Sequence, residues 1–342
     1  MGCSQGIVSM LTDGGERAIG PAWCADIAHL RGAPKHLAIR APISADSGNR
    51  VHVPTIRRAL GQYRASDFVL YPVVHGGLEH FYSSLPPDRQ AAASPNAPLG
   101  YSGDPLLNEY IHHYSLTTVS VWRQLGPNAP RTVWCYNEPN LGSSDLQPGD
   151  LSLMQVPGKQ SALAPEVFGA MLHTFGSRMG GLVDTVWPAC LSISVRDNTD
   201  PEGPWVAGYL RKAFDYLESV KAPRPWPFKG LGVNCEGLIS EDAASSIATA
   251  LRNVMSDYGL SGPLCVGEWG GPNDGLVPGR YDDTYRALSA HFDHMFFFSH
   301  NVWNPSQPGS YGTAMYSYND TEILPGEHLA WYPALQSLYT QT

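Results

Sequence analysis

Two glutamates stand where their side chains could do chemistry together. Glu138 follows the apolar run Arg131–Tyr136, and Glu268 follows the apolar run Pro263–Val266. Such runs are typical of strands in a parallel sheet that is covered on both faces. Two carboxyl groups delivered to one cleft can cleave a glycosidic bond, because a protonated one donates to the leaving oxygen while an ionised one attacks the anomeric carbon.

The elements that must position these glutamates alternate regularly along the chain. Eight strand-like runs occur, at Gly6–Leu11, His36–Ile43, Phe68–His75, Arg131–Tyr136, Val186–Ile193, Gly230–Cys235, Pro263–Val266 and Met295–Trp303. Helical patterns lie between them, at Ala22–Arg31, Thr55–Arg64, Asn108–Gln124, Pro165–Met179, Trp205–Val220, Glu241–Tyr258 and Asp282–His294. This alternation predicts an α/β fold, a (β/α)8 TIM barrel formed by residues 1–342 as a single domain.

The alternative fold is a doubly wound open sheet. Such a sheet commonly carries a G-x-G-x-x-G phosphate loop after its first strand, and Leu11–Gly15 does not match that pattern. In a barrel, the fourth and seventh strands lie across from each other, so Glu138 and Glu268 would flank one bound sugar.

Two connections are longer than barrel loops usually are. Gly76–Asp104 follows the third strand, and Leu141–Ala164 follows the fourth. Both are loops of the catalytic face, and long loops in compact domains usually form a lid or a wall. The sequence predicts a walled cleft or pocket, with a disordered insertion as the alternative.

The neighbours of the two glutamates resemble clan A of the glycoside hydrolases, the retaining (β/α)8 superfamily. The resemblance rests on Asn137-Glu138-Pro139 at the end of the fourth strand and Gly267-Glu268-Trp269 at the end of the seventh. It implies that Glu138 is the general acid/base, that Glu268 is the nucleophile, and that Asn137 binds the sugar 2-hydroxyl. The implied reaction is double displacement at a β-type glycosidic bond, with carboxyl groups about 5–5.5 Å apart.

In that reaction, ionised Glu268 is expected to keep Glu138 protonated until the glycosyl-enzyme forms. The family within the clan stays open. Asn137–Leu141 looks most like the β-xylosidase and α-iduronidase branch, whereas Gly267–Gly270 looks more like cellulase-type members.

Three further residues are candidates for substrate binding. Clan members often carry an arginine beside the nucleophile where Arg40 closes the second strand, although a surface ion pair is the alternative. Trp303 matches the tryptophan that typically forms the floor under the reacting sugar. His75, at the end of the third strand, fits a subsite contact and a structural loop anchor equally well.

The sixth strand departs from the resemblance. Many clan relatives carry a tyrosine or histidine there that touches the nucleophile, whereas this strand ends Asn234-Cys235-Glu236. Either Tyr311 or Tyr316 of the last loop fills that role, or Glu236 binds sugar hydroxyls or a basic substituent and competes with Glu268 for the nucleophile assignment. Trp269 either lines a subsite or packs inward.

Composition and charge limit the classes of partner that are expected. A net charge of −9 without a basic stripe excludes nucleic acid as an expected partner. The sequence contains no apolar run of roughly 18 residues, so no membrane span is predicted. The expected partner is an oligosaccharide or polysaccharide. No signal peptide is visible at the N-terminus, but trimming or neighbouring domains would be invisible here, so localisation and membership of a larger multidomain protein stay open.

No cofactor or metal is predicted. The chain has no H-E-x-x-H pattern and no Cys-x-x-Cys pair, and the adjacent His112 and His113 would face different ways on a helix. A serine hydrolase is not indicated either, since no G-x-S-x-G occurs. The alternative from another class is a catalytically inactive barrel that binds carbohydrate.

The cysteines are predicted to be buried thiols that pack as small apolar groups. Four of the six lie in predicted strands, namely Cys135, Cys190, Cys235 and Cys265. Cys3 and Cys24 are the one pair considered for a disulfide.

Overall fold

A computed structural model describes residues 3–10, 36–42, 69–75, 105–140, 163–193, 206–270, 282–298, 316–319 and 322–328 of the chain. The strands are β1 Ser4–Met10, β2 His36–Pro42, β3 Val69–His75, β4 Thr132–Cys135, β5 Thr185–Pro188, β6 Cys190–Ile193, β7 Leu231–Glu236, β8 Leu264–Gly270, β9 His294–Phe298, β10 Tyr316–Asn319 and β11 Glu322–His328. The helices are α1 Pro105–Leu125, α2 Pro165–Met179, α3 Ala207–Ser219, α4 Glu241–Asp257 and α5 Asp282–His291, with a 3₁₀ turn at Gly126–Asn128.

Nine strands form one parallel sheet in the order β5-β4-β3-β2-β1-β9-β8-β7-β6. The two strands at the ends of this order, β5 and β6, are separated in the chain by Ala189 alone. They are the two halves of one barrel strand, since β5 pairs with β4 and β6 pairs with β7. The predicted α/β fold of the (β/α)8 class is therefore confirmed, with β7, β8 and β9 as its sixth, seventh and eighth strands.

The predicted bounds hold closely for the helices described. The range predicted for α2 is the range observed, and α4 differs by a single residue. Pro165 and Glu166 stand in the first turn of α2, where a missing N–H costs nothing and a negative charge is favourable. Ser240 caps α4 by accepting a 3.2 Å hydrogen bond from the Ala243 N–H. The predicted helices Ala22–Arg31 and Thr55–Arg64 lie outside the described residues.

The seventh strand is longer than predicted. The sequence places its end at Val266, whereas β8 continues to Gly270 and is buried throughout. Glu268 therefore lies within β8 and not after the last strand residue. The antiparallel pair β10 and β11 was also not predicted, and it adds a small separate sheet.

Strand residues alternate between two packed layers. Val133, Val233 and Val266 belong to the main core with the inner faces of the helices, including Phe168 and Leu251. These residues face outward from the barrel, so their neighbours in sequence face inward.

The inward positions of β4, β5 and β9 carry aromatic rings. The Trp134 ring centroid lies 5.3 Å from that of Trp187 and 5.1 Å from that of Phe296. Trp187 also lies against His294, at 5.4 Å. The interior of the barrel is thus filled by side chains, and a substrate site is expected at the carboxyl ends of the strands, next to these rings.

The two long connections are Gly76–Asp104 and Leu141–Ala164. They lie outside the described residues, except for Leu163 and Ala164 at the end of the second. Their role as a lid or wall stays a prediction. Of the described helices, none is both long and apolar enough to cross a membrane.

Candidate active site

Glu138 is held by an unusual backbone at the carboxyl end of β4. Tyr136 has φ +75° and Glu138 has φ +47°, a left-handed conformation that costs free energy in residues with a side chain. The Tyr136 N–H donates a 2.9 Å hydrogen bond to the Tyr114 hydroxyl of α1, and the Glu138 N–H donates a 3.1 Å bond to the Cys190 carbonyl of β6. These partners compensate the strain and fix the position of the carboxyl group.

The residues after Glu138 are also anchored. The Asn140 side chain donates to the Ser192 carbonyl at 2.9 Å and accepts from the Ser192 N–H at 2.8 Å. The Leu163 N–H donates to the Pro139 carbonyl at 2.7 Å. The Asn140 side chain therefore hydrogen-bonds to β6 as a neighbouring strand would. It connects the end of the fourth barrel strand to the fifth.

Glu268 lies at an irregularity of β8. The register of β8 against β9 shifts between Val266 and Trp269, and its register against β7 shifts between Val233 and Asn234. Bulges of this kind change the direction of a side chain and are frequent beside active sites. Here the irregularity accompanies a Glu268 side chain that faces the barrel mouth.

Asn234 connects the two glutamates. Its Cα is the register partner of Glu268 across β7 and β8. Its Nδ2 donates a 2.9 Å hydrogen bond to Oε1 of Glu138. The Asn137 Nδ2 makes a longer contact, 3.5 Å, with Oε2 of Glu138. The amides of Asn137 and Asn234 thus both face the carboxyl group of Glu138. Asn234 also lies on the strand that neighbours Glu268.

These polar groups are buried. The exposed fractions are 4% for Asn137, 5% for Glu138, 1% for Asn234 and 3% for Glu268. Asn137, Asn234 and Glu268 lie at a cavity of about 230 Å³, counting the space that opens to solvent, and Glu138 is hydrogen-bonded to Asn234. The cavity is lined by Trp134, Tyr136, Asn137, Cys190, Asn234, Gly267 and Glu268. A buried polar group without a partner is costly, so this concentration is typical of a functional site.

Gly267 allows the close approach that the site needs. A Cβ at this position would lie 2.5 Å from Sγ of Cys190 and 2.7 Å from Oδ1 of Asn234, both well inside contact distance. A Cβ at Gly232 would likewise lie 2.5 Å from the same sulfur. Both glycines leave room for the Cys190 side chain between β7 and β8, at the wall of the cavity.

The prediction of buried thiols is confirmed for the four strand cysteines, whose side chains are all buried. Burial raises the pKa of the Cys135, Cys235 and Cys265 thiols. A hydrogen bond from Tyr114 offsets part of this effect on the pKa of Cys135. Cys24 lies outside the described residues, so its pairing with Cys3 stays a prediction.

Trp269 is the first of the remaining predicted residues. Trp269 is fully buried and packs on Tyr285 of α5 and Phe297 of β9, with ring centroids 5.5 and 5.1 Å away. It faces outward from the barrel, since it belongs to the same core as Val266 and packs on α5. Of its two predicted roles, this burial fits packing within the protein interior, and a subsite contact stays a prediction.

For four candidates the structure gives a strand position. Arg40 lies in β2 opposite Met10 and Val73, and His75 is the last residue of β3. Glu236 ends β7 opposite Gly270, and Tyr316 begins β10. Trp303 and Tyr311 lie outside the described residues. The binding roles of these six residues stay predictions.

Sequence reasoning missed Asn234 as a member of the site. The signal was present, since an amide in an otherwise apolar strand must have a buried partner. Asn140 and Tyr114 were also missed, and their signal is weaker because they act on backbone groups. Within the residues that the structure describes, no group of three or more His, Cys, Asp or Glu side chains is arranged to hold a metal ion.

Comparison with known proteins supports the fold. No family model matches the chain, and no curated protein matches it in sequence. Among solved structures, it is similar to one of two fungal β-1,4-galactanases, with a TM-score of 0.60 and 14% identity over 100% of both chains.

Two further solved structures are similar over nearly their full length. The β-glycosidase of Thermosphaera aggregans gives a TM-score of 0.55 at 12% identity, covering 99% of this chain and 96% of the other. A GH26 β-mannanase from Bacteroides ovatus gives 0.55 at 11% identity, covering 98% and 88%. The matched structures are clan A glycoside hydrolases. The chain therefore has the (β/α)8 fold of that clan, and the predicted resemblance is confirmed for the fold.

Proposed function

We propose that this protein is a retaining glycoside hydrolase that cleaves a β-type bond in an oligosaccharide or polysaccharide. The observation that carries the proposal is the hydrogen bond from Asn234 to Glu138, because Asn234 is also the register partner of Glu268 and lines a cavity with it. A carboxyl group held by amides beside a second carboxyl group is the equipment that glycoside cleavage needs. The structural similarity to glycosidases supports the same class.

In the proposed first step, Glu268 attacks the anomeric carbon while Glu138 gives its proton to the leaving oxygen. This forms a bond between the sugar and Oε of Glu268 and releases the leaving group as an alcohol. In the second step, Glu138 takes a proton from water, and the resulting oxygen nucleophile displaces Glu268 from the sugar. Glu138 regains its proton, so the two steps leave the protein unchanged and retain the configuration at the anomeric carbon.

The interior of the site suits this chemistry. Burial of both glutamates excludes bulk water and strengthens the interactions of the charged groups. The strained backbone at Glu138, compensated by Tyr114 and Cys190, keeps the carboxyl group in one orientation before substrate binds. Asn137 lies at the cavity wall, where it would meet a hydroxyl of the reacting sugar.

A carbohydrate-binding barrel without activity is the second candidate function. It would use the same cavity and the same amides, but it would not need a protonated and an ionised carboxyl group side by side. Measured turnover separates the two candidates.

The test is a screen of the wild-type protein against polysaccharides and aryl glycosides, with reducing ends and the anomer of the first product as readouts. Glu268→Gln is the test variant, and Glu218→Gln on the surface of α3 is the matched control. The proposal predicts retained configuration in the wild type and the control, and no turnover in Glu268→Gln. Equal turnover by both variants, or an inverted first product of the wild type, would overturn it.

A further inference from the structure

Asn234 presents two polar atoms to the site, and they differ in their surroundings. Its Nδ2 donates to Oε1 of Glu138 at 2.9 Å. Its Oδ1 is buried and has no hydrogen-bond partner within the part of the chain that the structure describes. The residue is 1% exposed and lines the cavity. A buried acceptor of this kind carries a desolvation penalty, which a hydrogen bond formed during the reaction would offset.

An amide is suited to a partner that changes its protonation state. It has donors on one side and an acceptor on the other, and it does not titrate. Rotation by half a turn about the last side-chain bond exchanges the two sides. Because the oxygen and the NH₂ group have similar sizes, this rotation fits the same space against Gly267.

We propose that Asn234 is a positioning residue that holds Glu138 in both of its protonation states. This inference depends on the proposed role of Glu138 as acid/base. When Glu138 is ionised, Nδ2 donates to Oε1, which is the arrangement observed. When Glu138 is protonated, its O–H donates to Oδ1 of the rotated amide.

The proton balance over the reaction follows directly. In the first step the O–H of Glu138 leaves Oδ1 and passes its proton to the departing oxygen; the amide then rotates back, and Nδ2 donates to the new carboxylate. In the second step Glu138 accepts the proton of water, and Oδ1 accepts the hydrogen bond of the resulting O–H. Asn234 neither gains nor loses a proton, so it favours neither step at the expense of the other.

A charged side chain in place of Asn234 would favour one protonation state of Glu138 over the other. A lysine here would favour ionised Glu138 and hinder the first step, whereas an ionised aspartate would favour protonated Glu138 and hinder the second. An amide serves a group that must act as an acid and as a base within one cycle.

The experiment uses two aryl glycosides of the sugar that the wild type hydrolyses. One has a poor leaving group, so that the first step limits the rate and requires the acid. The other carries dinitrophenol, so that the second step limits the rate and requires the base. Rates are measured over pH for the wild type, Asn234→Ala and Asn234→Asp, with thermal unfolding as a check of the fold.

Asn234→Ala is expected to lower both rates by about 10- to 100-fold, since misplacement of a catalytic group by about 1 Å can cost 100-fold. Asn234→Asp, which keeps the volume, is expected to lower the second-step rate at least about 10-fold above the pH at which the new carboxyl group ionises. Its alkaline limb for the poor leaving group is expected to move to higher pH. Asn234→Asp also carries the test if the alanine variant does not fold.

Wild-type rates and pH profiles in Asn234→Ala, or a loss confined to one step, would overturn the inference. Cys235→Ala is the matched control, because Cys235 is the next residue of β7 and its side chain lies in the core on the other face. Glu138→Ala is run in parallel. Unchanged activity in that variant would overturn the proposed function itself, whatever the Asn234 variants do.

Discussion

Asn234 and Glu268 are register partners on adjacent strands, and the side chain of Asn234 is hydrogen-bonded to Glu138. The strand pairing of β7 with β8 therefore fixes the neighbourhood of both glutamates at once. Any change that shifts this pairing is expected to disturb the two carboxyl groups together.

The two glutamates are expected to fail in different ways. Glu268→Ala should abolish turnover, and azide should restore it with inversion, because a small anion can occupy the place of the missing nucleophile. Glu138→Ala should lose about 100- to 10,000-fold on poor leaving groups and spare very good ones, which need no acid. Product anomers and a leaving-group series measure both effects. Wild-type activity in both variants would refute the assignment.

Gly267→Ala is expected to lower the free energy of unfolding by about 1–3 kcal/mol and to lower activity. The new methyl group would meet Cys190 and Asn234 at 2.5 and 2.7 Å. Urea denaturation and turnover measure the two effects. Adding Cys190→Ala should restore part of the stability, since the nearest atom is removed, but not the full activity, since Asn234 is still displaced. Additive losses in the double variant would contradict this explanation.

Tyr114→Phe is expected to reduce turnover as well as stability. It removes the hydroxyl that accepts from the buried Tyr136 N–H, and an unsatisfied buried donor costs about 1–3 kcal/mol. The strained turn that aims Glu138 would then relax. Tyr258→Phe is the matched control, because its hydroxyl donates to Asp215 at 2.6 Å between α3 and the end of α4. The control should lose stability and keep turnover, and equal loss of turnover in both would count against the prediction.

Asn140→Ala should detach the end of the fourth barrel strand from β6. It removes two hydrogen bonds to Ser192, and each backbone group left without a partner costs about 1–3 kcal/mol. Asn140→Asp keeps the acceptor for the Ser192 N–H and should show a smaller loss. Hydrogen exchange at Ser192 gives a local readout. Unchanged exchange in Asn140→Ala would show that the side chain does not carry this pairing.

Alkaline pH is expected to destabilise the fold through the buried thiols. Burial raises the pKa of Cys135, Cys235 and Cys265 above the ordinary value of 9.0. Above that value the unfolded chain releases protons that the folded chain retains. Each thiol therefore contributes stability that is fully present below about pH 9 and falls by at most about 1.4 kcal/mol per pH unit above it.

Urea denaturation between pH 7 and 10.5 measures this loss. Cys235→Ala should flatten the decline relative to the wild type, because one of the titrating groups is removed while the other alkaline titrations are unchanged. An identical decline in the two proteins would show that the thiol of Cys235 does not contribute.

The fold was predictable because apolar runs and helical periodicity depend on local sequence. The bounds of α2 follow from Pro165 and the amphipathic pattern after it, and they were predicted correctly. The apolar run that predicts β8 ends at Val266, because Gly267 and Glu268 are not apolar, whereas tertiary packing keeps Gly267–Gly270 within the strand. Local propensity does not contain that information.

The candidate site was predictable only in part. Glu268 and Asn137 line one cavity with Asn234, and Glu138 is hydrogen-bonded to Asn234. The roles of the three predicted residues stay predictions. Asn234 was missed because its importance depends on a residue 96 positions earlier in the chain. Trp269 was left between two roles because the direction of a side chain depends on the register of β8, which the sequence does not fix.

The left-handed backbone at Tyr136 and Glu138 bears on any attempt to engineer a hardier form of this protein. Glycine adopts such angles without strain, so Glu138→Gly would relieve local strain that the native chain retains, while removing the carboxyl group. Selection for heat tolerance alone would accept changes of this kind and lose catalysis with them. A stabilisation campaign should therefore hold 136–138 fixed and seek its gains in the helical layer.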